Sequence, residues 1–331
     1  MTRTRIAAIL VAFALLALVP LVVTDSYVRH LFIIAFIYAV VASNWDLSLG
    51  YTGLFNFGHL TFFGVGVYTA AILAETVELS PWAAILCGGI TAALAALLIS
   101  APVARLKGIY VVLVTFAFSQ LAMQVVLSQS DITGGAEGIV RIPYLQVGDY
   151  RFIRDYNLAY YYTAFAMLCV STVFLLAVVA SPFGKSLRAL RDNPDYAASR
   201  GISVARQRIM SLVLSAVFTG IAGGFYAIYL RVASPEVFGF GTLSLALSMV
   251  LIGGVGTIIG PVLAALFLTF LTEAMAGIRG LEDARFIVVA LAMILVLRLA
   301  PGGSIEMLSR LRLGAGFRSR RETTDTAGNR S

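Results

Sequence analysis

Long apolar runs alternate with short polar joints along almost the whole chain. They occupy about 1–24, 31–49, 59–74, 81–101, 110–129, 158–180, 209–230, 243–254, 261–276 and 286–300, and most approach the roughly 20 residues that carry a helix across a bilayer. The pattern predicts an all-α, polytopic membrane protein of about ten transmembrane helices. The eighth run is short for a span, and only a glycine-rich break separates it from the ninth. The first run follows Arg3 and Arg5 and closes on Val22-Val23-Thr24 with no A-x-A-like cleavage site. A retained span is therefore expected there, with a secretory signal as the alternative.

Composition agrees: hydrophobic residues make up 60% of the chain and charged ones 12%, too few to clothe a soluble fold of this size. A soluble enzyme is excluded. The net charge of +7 raises nucleic acid as a partner. The basic residues, all Arg except Lys107 and Lys185, sit mostly in short joints between apolar runs, where cytoplasmic anchoring accounts for them. No nucleic acid is expected. A cytoplasmic N-terminus puts Arg105, Lys107, the stretch from Lys185 to Arg208 and the tail from Arg310 to Arg330 on the same side. Segment 130–157, where Arg141, Arg151 and Arg154 are balanced by Asp131, Glu137, Asp149 and Asp155, then lies outside. The expected organisation is a transmembrane domain over 1–312, with an external loop at 130–157 and a cytoplasmic segment at 181–210. A disordered cytoplasmic tail follows at 313–331. Cys87 and Cys169 lie within apolar runs and read as small buried apolar residues.

Helices broken inside a bilayer must line a cavity or pack against protein to satisfy their freed backbone groups. Two segments have this character. The first holds Gly50, Tyr51, Thr52, Gly53, Asn56, Gly58 and His59; the second holds Gly253, Gly254, Gly256, Gly260 and Pro261. They are the candidate translocation pathway, since helix-terminal N–H and C=O groups there could meet the carboxylate and ammonium of a zwitterion. Close helix packing is the competing explanation, and Gly220-x-x-x-Gly224 and Gly256-x-x-x-Gly260 fit it. Leu54–Leu60 is similar to Val237–Leu243, and each precedes an apolar run. An inverted repeat of two halves would place them in corresponding positions.

Ionisable residues in the runs are few. Asp46, Glu75, Glu273 and Arg298 fall near expected span ends, within reach of the interface. His59 reads as a structural hydrogen-bonding group rather than a proton relay. Gln120 and Gln124, with Thr115 or Ser119, form a polar stripe that suits a pore or an interhelical contact. Gly184-Lys185-Ser186 lacks the leading glycine of a phosphate loop, so no ATP site is expected in this chain. In the cytoplasmic segment, 184–191 reads as a short basic amphipathic helix. Asn193-Pro194 starts a second one that Gly201 ends. Such a pair suits insertion into a groove on a partner, with a membrane-surface helix as the alternative.

Taken together these segments resemble the permease subunit of branched-chain amino acid ABC transporters of the hydrophobic amino acid uptake type. The resemblance rests on Gly50-Tyr51-Thr52-Gly53 with Phe57-Gly58-His59, Arg105-Leu106-Lys107-Gly108, Thr133-Gly134-Gly135, and Ser181-Pro182-Phe183-Gly184 through Arg191. Ser234-Pro235-Glu236 and Gly253-Gly254-Val255-Gly256-Thr257 with Gly260-Pro261 complete it. It implies import of branched-chain amino acids across a bacterial inner membrane, with both termini cytoplasmic and the chain embedded in lipid. The implied partners are a second homologous permease, two ATPase subunits that bind ATP and Mg²⁺, and a periplasmic substrate-binding protein; this chain itself holds no cofactor. In Asp195-Tyr196-Ala197-x-x-x-Gly201 the E-A-A-x-x-x-G coupling element of such permeases is matched with Asp for Glu and Tyr for the first Ala. Arg191, Asp192, Asp195, Ala197 and Gly201 are thereby the expected ATPase dock. Urea, short amides or another small organic solute are alternative cargoes, and a stand-alone channel or secondary transporter is the rival class.

Overall fold

The structure, a computed structural model, describes residues 3–148, 150–152 and 157–276, with 289–291, 293–294 and 298 beyond them. The expected tail at 313–331 and nine of the fifteen residues of the run at 286–300 lie outside the described residues. The chain is an all-α, multi-pass membrane protein. Its first helices are α1 (Arg3–Val22), α2 (Ser26–Asp46), α3 (His59–Glu75), α4 (Pro81–Val103), α5 (Ile109–Ser128) and the single turn α6 (Ser130–Thr133). After them come α7 (Leu158–Ala180), α8 (Pro182–Asp192), α9 (Pro194–Ser199), α10 (Val204–Leu230), α11 (Phe240–Gly253) and α12 (Ile259–Ala276). Five of these segments, Ser26–Tyr51, Pro81–Val103, Ile109–Ser128, Leu158–Ala180 and Val204–Leu230, are long and apolar enough to cross a membrane.

Local sequence explains where the helices start. Asp25 caps α2, its side chain accepting from the Tyr27 N–H at 2.8 Å. Ser181, followed by Pro182, caps α8, and Asn193, followed by Pro194, caps α9. A polar acceptor before a proline satisfies one orphan N–H while the ring removes another.

Helix α2 is the centre of the bundle, its segment Ser26–Tyr51 being the most buried of the five long apolar ones. It packs on α7, α10, α11 and α12, while α3, α4 and α10 form a second tight group. Small residues set that second group. A Cβ on Gly66 would strike the Gly220 carbonyl, one on Gly220 would strike the Gly88 carbonyl and Ala92, and one on Gly223 the Phe63 carbonyl. Where lipid is as apolar as leucine, such backbone approach supplies the packing that hydrophobic burial does not. Helix α1 joins the bundle through α7: the Tyr161 hydroxyl donates to the Leu16 carbonyl at 2.6 Å, and Phe13 lies against Phe165.

The two ends of the bundle differ. One gathers the 104–108 turn, α8, α9 and the start of α10, where Arg208 donates to the Leu106 carbonyl at 2.6 Å. At the other, β1 (Ile139–Val140) pairs with β4 (Val232–Ala233), while β2 (Gln146–Val147) and β3 (Tyr150–Arg151) make a small hairpin. Hydropathy alone does not announce these two-residue strands.

Several expectations are corrected. Asp46 does not reach an interface; it is fully buried. Gln120 and Gln124 do not share a face with Thr115 and Ser119: the glutamines are exposed and the hydroxyl residues buried, because neighbours at i and i+5 diverge on a helix. Gly256 and Gly260 do not form one helical stripe, since Gly256 precedes α12. Cys87 and Cys169 are half-buried rather than buried.

Candidate functional site

The two glycine-broken segments and the basic helix α8 meet at one junction. After α2 the chain continues as a π turn, Leu47–Tyr51, a form that widens the helix and leaves its last carbonyls in need of partners. After α11 it turns through Gly254, at φ 103°, and Gly256, at φ 82°, conformations open to residues without a Cβ. This second turn exposes three successive N–H groups. Asp46 receives all of them: Gly256 donates at 2.6 Å, Thr257 at 2.9 Å and Ile258 at 2.9 Å. A concave set of backbone donors around one carboxylate is an anion nest, and here the anion belongs to the protein. Ile258 is held at φ 58°, a costly conformation for a β-branched residue that persists only where its surroundings fix it.

Close approach makes the glycines necessary. A Cβ on Gly50 would strike both the Asp46 carboxylate and the Gly256 amide; one on Gly253 would strike the Gly260 carbonyl carbon and Pro261. Pro261 occupies the first turn of α12, where its missing N–H leaves no bond unmade.

Helix α8 reaches into this junction from the basic end. Arg191 donates from Nη1 to the Gly50 carbonyl at 2.9 Å and bonds Asp192 from Nε at 3.1 Å. The same guanidinium lies 3.1 Å from where a Gly256 Cβ would be, and the Arg191 Cγ lies 3.0 Å from a Gly53 Cβ. Arg188 stands over the Tyr51 ring, 5.2 Å from its centre, as a cation–π pair. One amphipathic helix thus touches both breaks, holding the first by a direct bond and crowding the second.

The remaining pathway candidates form a separate group. The Asn56 side chain accepts from the Gly58 N–H at 2.8 Å, while its carbonyl accepts from Trp45 Nε1 at 2.9 Å. His59 is fully buried, stacked on Trp45 and 2.9 Å from the Thr219 hydroxyl. Gly58 abuts the Thr115 carbonyl, leaving no room for a side chain. Thr52 closes the π turn by donating to the Leu47 carbonyl at 3.2 Å.

On α9 only Ala197 is buried; Asp195 is exposed, as is Tyr196. Ile202 donates to the Ala197 carbonyl at 3.1 Å across Gly201, whose φ of 84° makes the left-handed helix end. The helix thus keeps its outer face free while α8 is anchored by buried Leu187 and Leu190.

Two cavities stand out among the described residues. One, of about 260 Å³, lies beside the first break and is bordered by Gly53, Leu54, Gly108 and Arg208. The other, of about 480 Å³, lies between α2, α5, α11 and α12, and none of the pathway candidates borders it. Of its carboxylates, sequence reasoning placed Glu273 near a span end and Glu236 in the Ser234-Pro235-Glu236 motif without joining them in one site, and did not read Asp46 as an acceptor. A lone carboxylate in an apolar run was the available signal for Asp46.

With this geometry in view, the comparison with known families is decisive. The profile described as branched-chain amino acid transport system, permease component, matches residues 27–297. The chain belongs to that family. It is 28% identical over 292 residues to the high-affinity branched-chain amino acid transport system permease protein LivM of Escherichia coli, covering 82% of this chain and 68% of that protein. The probable branched-chain amino acid transport permease protein LivM of Methanocaldococcus jannaschii is 23% identical over 228 residues, 58% of this chain and 65% of that one. The guanosine ABC transporter permease protein NupQ of Bacillus subtilis is 31% identical over 112 residues, a third of each chain (33% and 34%). No solved structure matches. Members of this permease family act as transport subunits without ATPase activity of their own.

Proposed function

We propose that the chain is one membrane-spanning permease of an ABC importer that carries branched-chain amino acids into the cytoplasm. The family match over nearly the whole chain carries the reading. Its partners in this reading are a second homologous permease, two ATPase subunits and a periplasmic binding protein. The basic residues at the end bearing α8 and α9 support a cytoplasmic orientation of that end under the positive-inside rule. About ten spans with both termini cytoplasmic satisfy this orientation. The transmembrane domain is then 1–312 with 130–157 external, and the two similar heptapeptides belong to inverted halves.

Coupling follows from the junction. The free face of α9, with Asp195, and Gly201 just past its end dock on an ATPase, while buried Ala197 seats the helix; α8 is continuous with it through Asn193. Motion of the dock then shifts Arg191 and Arg188, which grip the first break and press on the second, so that α2, α11 and α12 repack together. The glycine-broken segments serve in this scheme as the hinge of the alternating-access switch, and the permease supplies two packings of nearly equal stability for nucleotide to bias. Gln120 and Gln124 are exposed on α5, the least covered long span at 22%. Amides at membrane depth are costly against lipid, so this face receives the second permease.

Uptake of labelled leucine into proteoliposomes holding the co-purified complex, with ATP inside and the binding protein outside, tests the reading. Accumulation that requires both is expected; flux by this chain alone, indifferent to ATP, overturns it. The likeness to a guanosine permease makes a nucleoside the second cargo to try, and accumulation of guanosine in place of leucine would reassign the substrate.

A further inference from the structure

At the junction the Asp46 carboxylate is spent on three N–H groups, whereas the larger cavity has carboxylates bordering open space. Its volume of about 480 Å³ falls in the ~300–1,000 Å³ range of small-molecule sites. Two carboxylates border it, Glu236 from the turn before α11 and Glu273 from α12; no cationic side chain does so among the described residues. Tyr27 steadies Glu273, its hydroxyl donating to Oε1 at 2.9 Å. Between them, Gly241 and Thr242 present the first turn of α11, which Gly239 caps without any side-chain acceptor. The N–H groups of that turn have no helical partner. Thr269, only 6% exposed, also borders the cavity, and its hydroxyl has no hydrogen-bond partner. A buried hydroxyl left so is costly unless a ligand completes it. Ile34, Leu245 and Val289 supply an apolar wall.

We infer that this cavity is a solute-recognition site within the permease itself, in which Glu236 and Glu273 receive the ammonium group of a zwitterionic amino acid, the first turn of α11 its carboxylate and the apolar wall its aliphatic side chain. The inference rests on the importer reading and deepens it. Selection is then made twice, once by the binding protein and once at this cavity, and a solute without a cationic group is rejected at the second step even when the first admits it.

Binding of labelled leucine to the purified complex in nanodiscs, without the binding protein, tests it. E236Q and E273Q should each weaken binding by about fivefold or more, and the double variant by at least about thirtyfold. E137Q, on the exposed external loop, should bind as the wild type does. On the unaltered complex, leucine amide, which keeps the ammonium, should compete at least about tenfold better than 4-methylpentanoate, which lacks it. This second measurement does not depend on any variant folding. A double variant that binds within about twofold of wild type, or the reverse order of competitors, overturns the site. ATP- and binding-protein-dependent accumulation, measured on the same preparation, separates the two claims. Accumulation with no effect of either carboxylate removes the site and leaves the importer standing, whereas guanosine accumulation in place of leucine removes both.

Discussion

Two glycine-rich regions of this molecule look alike in sequence and behave as opposites. At the crossing of α3, α4 and α10, Gly66, Gly88, Gly220 and Gly223 bring backbone onto backbone within regular helices. The four glycines lie inside helices, where N–H and C=O groups pair along the helix itself. At the junction of α2, α8, α11 and α12, Gly50, Gly253, Gly256 and Gly260 also remove side chains from a crowded place, but helices stop there and carry unpaired groups into it. Asp46 accepts three of those N–H groups and Arg191 meets one of the carbonyls. Glycine welds helices in the first region; in the second it makes room for charge-assisted hydrogen bonds between helix ends, the proposed hinge. The lesson is that the fate of the neighbouring backbone groups, rather than the glycine count, tells a weld from a hinge.

The comparison breaks most severely at the weld. Gly220→Val puts a branched side chain into the Gly88 carbonyl and Ala92, and overpacking against backbone should cost about 3 kcal/mol or more. The folded complex should largely vanish from detergent extracts on size-exclusion chromatography. Asp46→Asn keeps the shape of the clasp but turns an amide toward donors. Losing charge-assisted bonds in a buried place should cost about 2 kcal/mol, seen as a lower Tm together with loss of ATP-driven uptake. Gly201→Val forces a β-branched residue to φ 84° with open space around it, a strain of about 1–2 kcal/mol confined to α9. Uptake should fall with insertion in the membrane intact, and Gly201→Asn should retain most of it; wild-type uptake by the valine variant would sink the docking assignment. Arg191→Ala removes a half-exposed contact, for which about 1 kcal/mol is expected. ATP hydrolysis should then proceed with transport per ATP reduced several-fold, which marks a hinge and not a weld. The smallest effect on the chain itself belongs to Gln120→Leu with Gln124→Leu, within about 0.5 kcal/mol for exposed positions. Its readout is loss of co-purifying second permease.

Much of this architecture was legible in the chain. Nine of the apolar runs correspond to described helices, within a few residues at most ends, because a bilayer demands a long apolar helix wherever the chain crosses it. The amphipathic pattern at 184–191 announced α8, though not its Ser181 cap, and Asn193-Pro194 with Gly201 announced α9, since caps act over three or four residues. The same locality explains what was missed. Asp46 was read as a residue near an interface because its own neighbours say nothing of Gly256, which lies 210 positions on and donates to it. Glu273 read as a span end and Glu236 as part of a family-like motif, with nothing to join them until α11 and α12 close around one space.

Sequence by itself determined that the chain is a membrane-embedded permease, roughly where its long helices run, and which loops carry positive charge, because hydropathy, capping and charge asymmetry are properties of consecutive residues. Only the tertiary structure decided that both glycine breaks share one clasp with Arg191, that Gln120 and Gln124 face outward, and that two carboxylates border a common cavity. Those facts depend on which helix faces which. Bilayer-spanning helices have apolar surfaces on every side, so the faces that meet are selected by small-residue fit and by the pairing of a few distant polar groups.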